Sequence, residues 1–189
     1  MLLTHPLSID EVNGLLSENF VRIFGNIVDH FPAAAIVILK KRPFSDVNDI
    51  VQAVFSYLDS LKVTGKLPLC CRGKSNFTFS IFFRRKRKIL HLYPDVLSQL
   101  AYLSQWPPEK EIVGTDHLTT EEKRRLRDLN NRYKEKFGFP FVIGLKEKDV
   151  WTVFSEVVSR LQNDYEKEIH TAFDEVKNIV KLRIHEIVR

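Results

Sequence analysis

From Thr119 to the C-terminus, apolar residues recur every three or four positions, a spacing that leaves little room for anything but helix. Thr119 and Glu122 have the spacing of a capping box. Leu126, Leu129, Tyr133 and Phe137 then share one face until Gly138, a residue suited to ending a helix. Phe139-Pro140-Phe141-Val142-Ile143 reads as an apolar link. A further helix carries Val150, Trp151, Phe154, Val157, Val158 and Leu161. After Asn163 a long final helix carries Ile169, Phe173, Val176, Ile179, Val180 and Ile187.

The first half gives the same kind of signal. Ser8-Ile9-Asp10-Glu11 has capping-box form and opens a stripe of Val12, Leu15, Leu16, Phe20 and Ile23, which Gly25 interrupts or ends. Phe31 to Leu39 fits a buried helix entered at Pro32, and a strand nearly as well. Beyond the loop Arg42-Pro43-Phe44-Ser45-Asp46, residues Val47, Ile50, Val51, Val54, Phe55, Leu58 and Leu61 form another helical face. Asn76 to Phe83 alternates weakly, as a strand would, and regular helical patterning returns only after Pro94. With no internal repeat or linker, the pattern predicts an all-α chain: one compact bundle of about seven or eight helices in a single domain over residues 1–189.

Composition narrows the function classes. The chain has 189 residues, 44% hydrophobic and 28% charged, as an ordinary globular protein does. No apolar run approaches the roughly 20 residues that span a bilayer. The first ten residues lack the form of a secretory signal. Cys70 and Cys71 are adjacent and have neither metal-ligand nor redox spacing, so no metal is expected and a reducing compartment is the simplest setting. Seven basic residues lie between Arg72 and Lys88 without an acidic one, and without them the net charge of +5 becomes −2. The basicity therefore belongs to one segment, about residues 70–92, and a nucleic-acid role is not the favoured reading. A solvated insertion, a targeting or nucleic-acid patch at Arg84-Arg85-Lys86-Arg87-Lys88, and a retained intron or gene-model artefact are the three readings of that segment. Glycine-rich phosphate loops and the common hydrolase motifs are missing.

The string Leu129-Asn130-Asn131-Arg132-Tyr133-Lys134-Glu135-Lys136-Phe137-Gly138-Phe139-Pro140-Phe141-Val142-Ile143 is long and idiosyncratic. It resembles the hallmark stretch of the 2-oxo-4-hydroxy-4-carboxy-5-ureidoimidazoline (OHCU) decarboxylases. Phe24-Gly25-Asn26-Ile27-Val28, Arg42-Pro43-Phe44-Ser45, Arg160-Leu161-Gln162-Asn163 and Glu175-Val176-Lys177-Asn178-Ile179 agree in order. The likeness covers roughly residues 18–69 and 93–189, leaving the segment around 70–92 without a counterpart.

The resemblance implies an all-α fold and a cofactor-free carboxy-lyase of urate degradation that releases (S)-allantoin. It carries over to particular residues unevenly. Pro94-Asp95 matches the family's Pro-Asp, but Tyr93 stands where the family has its catalytic His. Glu109 is kept as a catalytic carboxylate, while Trp106 and Lys110 replace a Ser and a Gln that line the pocket. The ring-binding strip falls on Phe141, Val142, Ile143, Gly144 and Leu145, the helix-borne catalytic Arg on Arg183, and Arg160 is a weaker, structural candidate. A Tyr phenol titrates near ~10 against ~6.5 for His, so this corner exchanges protons poorly at neutral pH. The resemblance accordingly predicts impaired turnover, with a catalytically silent binding or scaffold protein as the alternative. It also implies a small-molecule substrate, a homodimer, and a cytoplasmic or peroxisomal setting, although Ile187-Val188-Arg189 is not a Ser-Lys-Leu-type address.

Overall fold

The computed structural model describes residues 5–61, 86–96, 98, 119–145 and 148–189. All its named elements are α-helices: α1 (Ile9–Gly14), α2 (Ser17–Phe24), α3 (Ala33–Leu39), α4 (Val47–Ser60), α5 (Thr120–Phe137), α6 (Val150–Arg160) and α7 (Tyr165–Ile187). The all-α expectation holds, and the stretch read as helix or strand resolves as helix from Ala33 to Leu39. The proposed strand at Asn76 to Phe83 lies outside the described residues. None of the described helices is long and apolar enough to cross a membrane.

The chain divides into two compact units, Met1–Leu92 with Lys177–Arg189, and Tyr93–Val176. In the first unit, α3 packs against α2 and α4. Phe20 and Phe24 stack with ring centres 4.5 Å apart, and Arg42 lies over the Phe20 ring. Asn13 accepts the Phe44 N–H at 2.8 Å and donates to the Phe44 carbonyl at 2.9 Å, while Arg42 donates to the Leu15 carbonyl at 2.6 Å. The Arg42-Pro43-Phe44 string is thus the fastening between the loop before α4 and the end of α1. The last turn of α7 closes this unit: Leu7 donates to Ile187 and accepts from Arg189, pairing Leu7 with Val188 in an isolated parallel bridge.

The single early stripe turns out to be two helices. The Ser8–Glu11 capping box forms, but α1 ends at Gly14, and Leu15 and Leu16 are extended before α2 begins. Leu16 points outward at 73% exposure, so periodicity alone overcounted the core here. A second departure lies at residues 86–90, which are helical although patterning placed the next helix after Pro94. Lys86, Ile89 and Leu90, spaced three and four apart, are buried there, so the end of the basic run is not all solvated surface.

In the second unit α5 packs on α6. Thr119 and Glu122 complete the predicted capping box, and Asp149 caps α6 through the Thr152 N–H at 2.6 Å. Gly138 ends α5 in the left-handed conformation, φ 70°, and its N–H reaches the Lys134 carbonyl at 2.8 Å. Only glycine adopts that conformation without a Cβ penalty. On α6 the apolar face is narrower than the sequence suggested. Val153, Phe154 and Val157 are buried, while Trp151 and Val158 lie at the surface.

Candidate active site

The left-handed turn at Gly138 directs the chain into Phe139-Pro140-Phe141-Val142-Ile143-Gly144-Leu145, all of it buried. Phe137, Phe139 and Phe141 surround the Tyr133 ring at centre distances of 4.7, 5.9 and 5.1 Å. The strip's side chains are therefore anchors within the core of this unit. Phe141, Val142 and Ile143 are wholly enclosed, peptide groups as well as side chains.

Two side chains fix that backbone. Arg160 Nη1 donates to the Val142 carbonyl at 2.8 Å, and Glu175 accepts the Gly144 N–H at 2.9 Å and the Lys148 ammonium at 3.2 Å. Among the described residues, the N–H groups of Phe141, Val142 and Ile143 have no acceptor.

Beneath the strip lies a buried polar cluster. Arg160 donates through Nε and Nη2 to Glu168 Oε1 at 2.8 and 2.6 Å, its guanidinium lies 4.5 Å from the Phe141 ring centre, and Asn163 donates to Glu168 Oε2 at 2.7 Å. Tyr133 donates its hydroxyl proton to Glu168. Burial, with Glu168 beside it, pushes the Tyr133 phenol far above its ordinary range despite Arg160, so it stays a donor. Burial works against the Arg160 charge, and the groups of Tyr133 and Glu168 more than offset this, keeping the guanidinium protonated. Arg160 is thus not a surface residue but the centre of the support for the strip.

Tyr93 is buried, at 3% exposure. The adjoining Asp95 accepts the Ser98 N–H at 2.9 Å and the Lys134 ammonium at 3.1 Å. Burial raises the Asp95 carboxyl, but these hydrogen bonds outweigh it and hold the group below its usual range. Lys134 and Tyr133, neighbours in the hallmark string, therefore fasten two different segments to α5: the Tyr93-Pro94-Asp95 corner and the support of the strip.

Arg183 belongs to the first unit, on the last turns of α7. It is paired with Asp29, a residue that spacing and resemblance passed over, at 2.9 Å. Glu168 was equally unmarked, and Glu175 stood in the resemblance only as the first residue of a matching stretch, without a role. None of these three carboxylates stands at a telling distance in sequence from its partner, so folding alone reveals them. Glu109, Trp106 and Lys110 lie outside the described residues. A groove of about 600 Å³ between α5 and α6, lined by Arg125, Trp151, Phe154 and Val158 among others, includes none of the expected site residues.

The described elements are helices, and between two of them runs a buried backbone strip clamped by Arg160 and Glu175. The chain belongs to the OHCU decarboxylase family, whose model matches residues 13–185. It is 32% identical over 182 residues to a 2-oxo-4-hydroxy-4-carboxy-5-ureidoimidazoline decarboxylase of Mus musculus, covering 94% of this chain and 91% of that one. Among solved structures it resembles an (S)-allantoin synthase, with TM-score 0.69 and 18% identity over 96% of this chain, which spans about half (54%) of that longer chain. It also resembles an OHCU decarboxylase crystallised in the presence of (S)-allantoin, with TM-score 0.58 and 14% identity, covering 86% of this chain and 94% of that one.

Proposed function

We propose that this chain decarboxylates 2-oxo-4-hydroxy-4-carboxy-5-ureidoimidazoline to (S)-allantoin, as a single cofactor-independent domain. Family membership over residues 13–185 carries the reading. The clamped strip supports it, because fixed N–H groups in a dry setting suit a small polar heterocycle.

The chemistry needs little apparatus. The carboxylate leaves from a carbon beside a C=N-type group able to take up the electron pair. The protein holds that carboxylate out of the ring plane and delivers a proton to one face of the resulting anion. Phe141 to Leu145 bind the ring through their backbone, Glu109 and Arg183 serve as polar anchors, and Pro94, Trp106 and Lys110 line the pocket. Tyr93 occupies the position of the proton-handling His, where its phenol is a poor acid–base group. Loss of a general acid–base commonly costs about 10²–10⁴-fold in rate. Wild-type turnover is therefore expected to be weak, and Tyr93→His is expected to raise it by a factor within that range. Steady-state decay of freshly generated substrate, followed by circular dichroism of the product, measures both rate and chirality. Brisk wild-type turnover that Tyr93→His leaves unchanged would overturn the account of Tyr93. No turnover in either protein would overturn the function.

The second reading, a silent relative that binds but does not turn over, is favoured by the burial of Tyr93. It predicts (S)-allantoin binding without catalysis. A homodimer and a cytoplasmic or peroxisomal setting accompany the family reading. Sedimentation and cell imaging test them.

A further inference from the structure

On the reading above, Arg183 meets the substrate, and the way it is held then bears on the reaction. The loop after α2 forms a receptor for its guanidinium. Nη2 donates to both oxygens of Asp29, at 2.9 and 3.0 Å, and Nη1 donates to the carbonyls of Asn26 at 3.0 Å and, more weakly, Ile27 at 3.5 Å. The loop is itself fixed. Ile27 and Val28 are buried, and the Asn26 side chain accepts the N–H of His30, whose backbone is left-handed at φ 50°. A non-glycine residue in that region persists where its surroundings over-determine it.

The two partners differ in access. The Asp29 side chain keeps 11% of its surface, whereas Arg183 keeps 31%. The carboxylate is the more enclosed partner, and Arg183 keeps the larger share of exposed surface. Among the described residues, Nε–H of Arg183 has no acceptor, which leaves it as the donor for a ligand.

We infer that Asp29 is a positioning residue for Arg183: it holds the guanidinium from behind and cancels its charge, so that the substrate meets directed donors rather than a free cation. The reaction gives the reason. A free cation grips the carboxylate that must depart, and that attraction fades as carbon dioxide forms, so it stabilises the ground state more than the transition state. A neutral pair keeps the direction of the hydrogen bonds and gives up most of that grip.

The test is steady-state decarboxylation by wild type, Asp29→Asn, Asp29→Glu, Arg183→Gln and the Asp29→Asn/Arg183→Gln double variant, in the Tyr93→His background if wild-type turnover is too slow to resolve. Asp29→Asn frees the Arg183 charge while keeping the side chain's shape. Its kcat is expected to fall about tenfold or more with KM unchanged or lower. Asp29→Glu, which keeps the charge, is expected to recover part of the loss. The double variant is expected to be no worse than Arg183→Gln alone, since Asp29 acts through that residue. If Asp29→Asn does not fold, the Asp29→Glu kinetics carry the test: its kcat is expected to fall while its KM holds. A kcat within roughly twofold of the parent for the folded Asp29 variants, penalties that simply add in the double variant, or a rise in KM with kcat intact would each overturn the inference. So would a harmless Arg183→Gln in an active parent, leaving the function standing. An inactive parent even with Tyr93→His removes the function and this inference together.

Discussion

Arg160 and Arg183 both sit on helices and both meet a buried carboxylate, yet one unit encloses its pair and the other leaves one edge open. Arg160 and Glu168 retain 4% and 0% of their side-chain surface, against 31% and 11% for Arg183 and Asp29. The closed pair is saturated by protein: Val142, Tyr133 and Asn163 take the hydrogen bonds that water would otherwise supply. Such a pair adds little net stability over an apolar replacement, but losing one partner strands a charge. The open pair can relax toward solvent and can also meet a ligand. Enclosure suits support, and partial exposure suits contact.

Stability measurements can break that comparison. Removing the closed carboxylate with Glu168→Ala is expected to cost about 3–5 kcal/mol in urea unfolding, since Arg160 is left charged and unpaired. Removing the open one with Asp29→Ala is expected to cost less, about 1–2 kcal/mol, because the exposed face of Arg183 regains water. Equal losses would mean that exposure does not separate the two sites. The smallest effect concerns Asp95, which sharpens the picture of what α5 holds in place. Its carboxyl titrates below its ordinary value in the folded chain, so the stability it adds is present above the unfolded pKa and is lost as pH falls through the folded one. Lys134→Met, which removes one cause of the depression, is expected to lower stability slightly near neutrality and leave it almost unchanged in acid, so that the acid-side loss shrinks. An acid limb identical in the two proteins would show that Lys134 does not govern Asp95.

Local chemistry was legible in the sequence wherever it was carried by residues within one turn of each other. The capping boxes at Ser8–Glu11 and Thr119–Glu122 and the stop at Gly138 are of that kind, and all three form as read. The break between α1 and α2 was not legible, because Leu15 and Leu16 satisfy a helical period while the chain there is extended. Trp151 and Val158 mislead for a related reason: periodicity marks an apolar face but not its width. The strip itself was readable from the hallmark string, since its letters are unusual. Of its supports, Arg160 was marked as structural, but no carboxylate was assigned to it or to the strip. Glu168 follows Tyr133 by 35 residues and Glu175 follows Gly144 by 31, while Asp29 precedes Arg183 by 154. Partners so far apart leave no mark in spacing, and single acidic residues on helices usually face water. The final arginine was recognisable, and the carboxylate paired with it was not.

The burial of Phe141, Val142 and Ile143 has a consequence for how such a chain can change over time. With its side chains turned into the core, the strip's inventory of donors does not depend on which apolar letters spell it, so an exchange such as Val142→Ile alters volume and no hydrogen bond. Proline is the exception, because it alone deletes an N–H. Peptide groups keep their hydrogen-bonding chemistry through wide drift in composition, whereas a position whose chemistry is its side chain, as at Tyr93, changes it with a single codon.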